Sequence, residues 1–406
     1  MKKVQSKTLD RKKFFSDPVL VCTVAFLMIA MLLFVLYPLI YLLIDSVQDE
    51  TTGAFTTAIF KRVLHMTGFQ KAFWNTLRAG IITGVLSTAV GLLFAYVDVY
   101  VRIRSRIVEK LFNLVSVLPV VSPPFVLSLS MILLFGKQGM ITKGLLHIKD
   151  ANIYGLWGLV IVQTMTFFPV CYLMLKGLLK NIDPSLEEAA RDMGASRMKV
   201  FTTVTLPLLL PGLGNAFLVT FIESAADFAN AMLIGGNYDT LATTIYLQIT
   251  GAYDKQGAAA MSVVLLSVTI IMFIIQKYYL ESKTAATLTG KATRARMPIE
   301  DKGVTIPLTI ICSLISVFVM VMYIMVFFGG FFKLWGRDYS FSMRHFNNFI
   351  LQSGLKNFKD SAILSAIAAP ATAIMSMLIA YLVVKKKFKG KDLLELLSML
   401  AMAVPG

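Results

Sequence analysis

The chain has 406 residues, of which 57% are hydrophobic and 15% charged, and a net charge of +16. A soluble domain carries about 25% charged residues, so this composition excludes an ordinary soluble globular protein. Cys22, Cys171 and Cys312 all fall inside apolar runs and the three histidines are scattered, so neither a disulfide framework nor a metal site is indicated. The positive charge lies between apolar runs, which points to membrane orientation and away from nucleic acid.

Taken in chain order, nine apolar blocks lie near 18–44, 73–99, 109–135, 154–176, 207–234, 258–280, 304–328, 361–384 and from 392 onward. A hydrocarbon core of ~30 Å needs about 20 apolar residues of helix, so these blocks predict an all-α, polytopic transmembrane bundle. The first block is too long for a signal-peptide core and no small-residue cleavage site follows it, so it reads as a retained span. The blocks divide the chain into a cytoplasmic tail over 1–17, a six-span unit over 18–280, a linker over 281–303 and a further unit over 304–406. Most lysines and arginines fall in alternate connections, such as Lys2–Lys13, Arg102–Lys110 and Lys385–Lys391, which predicts a cytoplasmic N-terminus. Pro38, Pro119, Pro169, Pro211 and Pro370 lie inside blocks, as kinks or as irregular backbone along a transport path.

Sliding the chain along itself by six spans brings the second block onto the eighth. Ala95-Tyr96 falls on Ala380-Tyr381, and Gly80, Gly84, Thr88 and Gly91 fall on Ser365, Ala369, Ala373 and Ser376. Both copies keep one helical stripe small, which lets backbones approach closely in lipid. An even shift makes the repeat parallel, whereas inverted repeats need an odd one. Leu118-Pro119 pairs with Val404-Pro405, so the second copy is expected to be incomplete at Gly406.

The connection over 183–207 carries the most specific signal. Asp183 can cap a helix with Pro184 at its first position, and Ser185 with Glu188 offers an alternative capping box. Glu187 and Arg191 are spaced for an i,i+4 pair, and Leu186, Ala189, Ala190 and Met193 for a small apolar face. Gly194 permits the chain reversal that ends this helix, Ser196 can start a second one, and Pro207 marks entry to the next span. The expected product is a helix–Gly–helix elbow.

This loop resembles the EAA loop of bacterial binding-protein-dependent ABC importer permeases. The family spacing of Glu-Ala-Ala, Gly, an aliphatic residue and Leu-Pro is met by Glu188, Ala189, Ala190, Gly194, Val204, Leu206 and Pro207, with Val204 in place of the commoner isoleucine. The resemblance implies a bacterial inner-membrane, multi-pass permease whose elbow docks on an ATP-binding cassette ATPase dimer and whose solute comes from an extracytoplasmic binding protein. Such permeases of the ferric-iron, thiamine and 2-aminoethylphosphonate type are often fused from two six-span halves, of which this chain matches the first and the opening of the second.

Glu223 and Asp227 fall in the fifth block at i,i+4 spacing, which predicts both carboxylates on one helical face inside the bilayer. A charge there costs at least ~2.5 kcal/mol on insertion scales, so the pair is expected to face the bundle interior or a wet cavity. The surrounding segment resembles iron(III)-type permeases, and paired carboxylates suit a hard trivalent cation. Equally, one or both acids could be protonated or hydrogen-bonded to a neighbouring helix. The chain has no Gly-x-x-x-x-Gly-Lys-Ser/Thr run, so no cofactor is expected on it and ATP-Mg is assigned to a partner subunit. An ion-coupled carrier using Glu223 and Asp227 is the alternative class. An intramembrane enzyme would need a nucleophile–base or metal constellation at membrane depth that the sequence does not offer.

Overall fold

A computed structural model of the chain describes residues 17–49, 52–103, 105–148, 150–280, 298–299 and 301–403. All of the expected tail except Asp17 lies outside these residues, as do most of the expected linker and the Val404-Pro405 pair. Among the described residues eight helices are long and apolar enough to cross a membrane. The only named strands among them form one antiparallel hairpin.

Helix α1 (Pro18–Val47) is opened by Asp17, whose carboxylate accepts from the Leu20 amide at 3.1 Å. Helix α2 (Thr67–Tyr100) is followed by α3 (Arg106–Val115) and α4 (Phe125–Phe135). The expected single block over 109–135 is therefore broken. Pro119, Pro123 and Pro124 have no N–H to donate, so the chain turns through Leu118–Val121 and restarts at Phe125. Helix α5 (Leu156–Asn181) leads to the elbow helix α6 (Pro184–Asp192), then α7 (Arg197–Ala226), α8 (Ala229–Ile234), α9 (Leu241–Thr250) and α10 (Lys255–Leu280). Helix α11 (Lys302–Gly329) ends in the hairpin β1 (Phe332–Leu334) and β2 (Asp338–Phe341). Helices α12 (Arg344–Leu351), α13 (Gly354–Lys385) and α14 (Lys391–Ala403) complete the described chain. Within the described residues α14 has 13 residues.

The fifth block also differs from expectation. Its helix begins at Arg197 and runs through Pro207 without interruption, because a π-helical turn over Phe201–Thr205 precedes the proline. A π turn over Leu32–Leu36 precedes Pro38 in the same way. A proline ring clashes with the carbonyl four residues back, and the wider turn moves that carbonyl aside. Both helices pass their proline without a break.

Helices α2, α5 and α7 form the centre of the bundle, with α2 and α5 in the most extensive contact. The small stripe on α2 makes this possible. A Cβ on Gly80 would lie 2.8 Å from the Phe221 ring, one on Gly84 2.8 Å from Phe217, and one on Gly91 2.5 Å from the Cys171 Cβ. Lipid supplies no hydrophobic drive between helices, so this close packing and buried hydrogen bonds hold them together. The matching residues of α13, Ser365, Ala369, Ala373 and Ser376, are exposed.

The bundle has two distinct ends. One carries the elbow, the end of α2 and Ile299, whose amide donates to the Tyr100 carbonyl at 2.7 Å. The opposite end carries the hairpin and the connection from α8 to α10. Trp74 in the second turn of α2, Trp157 in the first turn of α5 and Trp335 in the hairpin all lie toward that opposite end. Tryptophan favours the lipid–water boundary, where its ring is buried and its N–H is wet or bonded. Trp335 Nε1 donates to the Leu133 carbonyl at 3.0 Å and fastens the hairpin to α4.

Candidate functional site

The elbow is built by local chemistry. The Asp183 side chain accepts from the Ser185 amide at 3.0 Å with Pro184 in the first turn, so this cap, and not the Ser185–Glu188 box, starts α6. The helix ends in a Schellman motif: the Ala195 amide reaches the Ala190 carbonyl at 3.1 Å and the Gly194 amide reaches Arg191 at 2.8 Å. Gly194 has φ +87°, and a Cβ there would meet nothing within 4 Å. Conformation, not space, requires glycine at this position. The Ser196 side chain then accepts from the Lys199 amide at 3.4 Å and opens α7.

The two sides of α6 do different things. Pro184, Glu187 and Ala190, three residues apart, are buried against the bundle. Leu186, Ala189 and Met193 face outward, Met193 with 83% of its surface exposed. The expected four-residue apolar face is thus split, because Ala190 follows Glu187 inward. The expected Glu187–Arg191 pair is absent from the ion pairs of the described residues. The Glu187 carboxylate instead accepts from the Tyr100 hydroxyl at 2.5 Å and from Thr205 Oγ1 at 2.7 Å. A buried carboxylate needs such donors, and hydrogen bonds to a charged group are about twice as strong as neutral ones.

Glu188, Ala189, Ala190 and Gly194 come together in the elbow. Glu188 lines a cleft with Arg191, Tyr96, Phe201 and Ile299. Val204 and Leu206 are half-buried further along α7, and Pro207 is exposed there. Tyr100 and Glu187 carry no motif signal in the sequence.

The two intramembrane carboxylates are separated by a helix break. α7 ends at Ala226, and Asp227 has φ −71° and ψ 103°, which is outside the helical region. The shared helical face expected of Glu223 and Asp227 is therefore not formed. Asp227 accepts from Gln163 Nε2 at 2.8 Å, from the Asn230 amide at 3.1 Å and from Asn230 Nδ2 at 2.8 Å. Gln163 Oε1 in turn accepts from Thr83 at 3.0 Å and Ser224 at 2.7 Å, while Asn230 Oδ1 accepts from Ser128 at 2.7 Å. This network joins α2, α4, α5, α7 and α8. It answers the need of every polar group in an apolar bundle for a partner. Glu223, one turn before the break, is exposed. Among the described residues no group of three or more His, Cys, Asp or Glu side chains converges.

Residues 87–284, which hold the elbow, Glu223 and all of the Gln163 network except Thr83, match the family described as binding-protein-dependent transport system inner membrane component. That match spans just under half of the chain. Over 386 residues the chain is 35% identical to the ferric transport system permease protein FbpB of Actinobacillus pleuropneumoniae, covering 92% of this chain and 55% of the relative. It is 32% identical over 399 residues to the provisionally named ferric transport system permease protein FbpB 1 of Haemophilus influenzae, covering 96% of this chain and 62% of that relative. The chain thus spans less than two thirds of the length of either permease. A solved bacterial alginate ABC transporter, in complex with a pentasaccharide-bound periplasmic protein, has a similar chain with TM-score 0.54 and 16% identity. The match covers 67% of this chain and 97% of that one, and the likeness is one of fold.

Proposed function

We propose that this chain is membrane-embedded permease of an ATP-driven importer, moving solute handed over by an external binding protein, with ferric iron as its cargo. One observation carries the importer reading: the elbow holds Leu186, Ala189 and Met193 outward on a rigid, capped helix whose other side is bonded to the bundle. An exposed apolar face on a fixed helix suits docking into a groove of an ATPase subunit, which would use ATP-Mg. The ATPase dimer and the binding protein are partners in this reading, and the alternating basic connections put the N-terminus and the elbow in the cytoplasm. The proposed units remain the first half over 18–280 and the beginning of a second over 304–406, joined by a linker over 281–303.

The names of the two relatives and the exposed Glu223 carboxylate support iron. Asp227 is committed to Gln163 and Asn230, which leaves Glu223 as the acid available to a passing cation. Reconstitution with the cognate ATPase and an iron(III)-loaded binding protein tests this. Uptake that requires ATP supports the reading, whereas uptake driven by a proton or sodium gradient alone would overturn it. Glu223→Gln is expected to slow iron uptake at least about threefold without changing assembly, as expected for loss of a charge that contacts the cargo. Unchanged uptake removes Glu223 from the path.

A further inference from the structure

We infer that Tyr100 is a positioning residue that holds the elbow and the start of α11 on one bracket. Its hydroxyl donates to Glu187 in α6 at 2.5 Å, while its backbone carbonyl accepts from the Ile299 amide at 2.7 Å. Val101 next to it pairs with Ile299 as a parallel bridge. The Tyr100 ring stacks on Tyr96 with centroids 4.5 Å apart and planes 15° from parallel, and Tyr96 meets Phe201 of α7 edge-on at 5.5 Å. Tyr100 is 6% exposed, so these contacts are made inside the protein.

The bracket continues on both sides. Asp301, two residues after Ile299, caps α11 through the Gly303 amide at 2.9 Å and lies 3.6 Å from Arg197, the first residue of α7. Glu187 also accepts from Thr205 of α7, so both helices of the elbow reach Tyr100 within one or two side chains. Along the covalent chain the elbow and α11 are separated by the whole of α7 to α10. Through Tyr100 they are separated by a single residue. A displacement of α6 therefore reaches α11 directly, without first repacking α7 to α10. The transport role of this bracket rests on the proposed docking of the elbow, but the bracket itself does not.

The test uses the full chain in phosphatidylethanolamine–phosphatidylglycerol nanodiscs, with Cys22→Ser and spin labels at Met193→Cys and Lys302→Cys. The parent gives one narrow distance. Tyr100→Phe keeps the ring stack and loses the hydroxyl, and is expected to raise the detached population about tenfold, as loss of one bond to a carboxylate would. In the Tyr100 parent, Glu187→Gln keeps an acceptor for the hydroxyl and is expected to keep most of the narrow distance, whereas Glu187→Leu removes the acceptor and is expected to widen it as Tyr100→Phe does; a narrow distance in Glu187→Leu overturns the bracket. An unchanged distribution in Tyr100→Phe overturns the bracket. A second arm adds the ATPase and the iron(III)-loaded binding protein. Tyr100→Phe should bind ATPase as the parent does but hydrolyse several-fold more ATP per iron imported; an unchanged ratio overturns the coupling role. If the parent binds no ATPase while the distances behave as stated, the docking reading fails and the bracket stands.

Discussion

Asp227 and Glu223 are separated by one helical turn in sequence and by a helix end in space, and their substitutions should differ accordingly. Asp227→Ala strands the amides of Gln163 and Asn230 in an apolar interior and is expected to cost about 1–3 kcal/mol of stability, read as an earlier melt in detergent. Asp227→Asn keeps an acceptor and should lose less. The chemistry of these acids was legible from residue type and depth. Which one is sequestered was not, because Gln163 lies on another span and nothing in its local sequence marks it as the partner. Gly194→Ala, at a position with φ +87° and open space around it, should cost about 1 kcal/mol, a strain effect with no steric part. Asp254 is a surface counterpart. Partial burial pushes its carboxyl up, but donors from Gly257, Gln248 and Arg62 outweigh this and hold it below the usual carboxylate range. A lowered folded value stabilises the protein above the unfolded value of ~3.9, and that contribution is lost as pH falls through the folded value. Asp254→Asn should therefore lower stability at neutral pH by under about 1 kcal/mol, since Arg62 is half exposed, and leave it unchanged at strongly acid pH, as read from melting temperatures at the two pH values.

At the scale of elements, the small stripe on α2 is used and its counterpart on α13 is exposed in this chain. Gly80→Leu must displace the Phe221 ring and is expected to destabilise by about 1–3 kcal/mol through overpacking, whereas Ser365→Leu adds a side chain to an exposed face and should not. Equal effects on detergent melting would show that the two helices are packed alike. The contrast also shows what pattern reading reaches. The elbow's caps and its glycine are local, so Asp183, Pro184, Gly194 and Ser196 announced it. The crossing of Pro207 without a break was hidden, because a π turn has no residue signature comparable to a glycine at positive φ. The broken third block was under-read for the opposite reason: apolar composition concealed the Pro119, Ser122, Pro123 and Pro124 cluster that ends the helix.

At the scale of the whole molecule, the elbow and the hairpin mark opposite ends of the bundle, and the permease reading puts them on opposite sides of a membrane. A membrane-impermeant thiol reagent should label Met193→Cys only in inverted vesicles and Tyr339→Cys only in right-side-out ones, in a Cys22→Ser background. Labelling of both in one preparation would remove the proposed topology. The number of long apolar helices was legible almost throughout, since hydropathy and length decide it. The tie between the end of α2 and the start of α11 was not, since it depends on one tyrosine meeting a distant backbone amide. The placement of Trp74, Trp157 and Trp335 has a spectroscopic consequence. Indole emission from this chain comes from the hairpin end alone, so its wavelength will follow events where a binding protein would arrive and will stay silent to motions of the elbow.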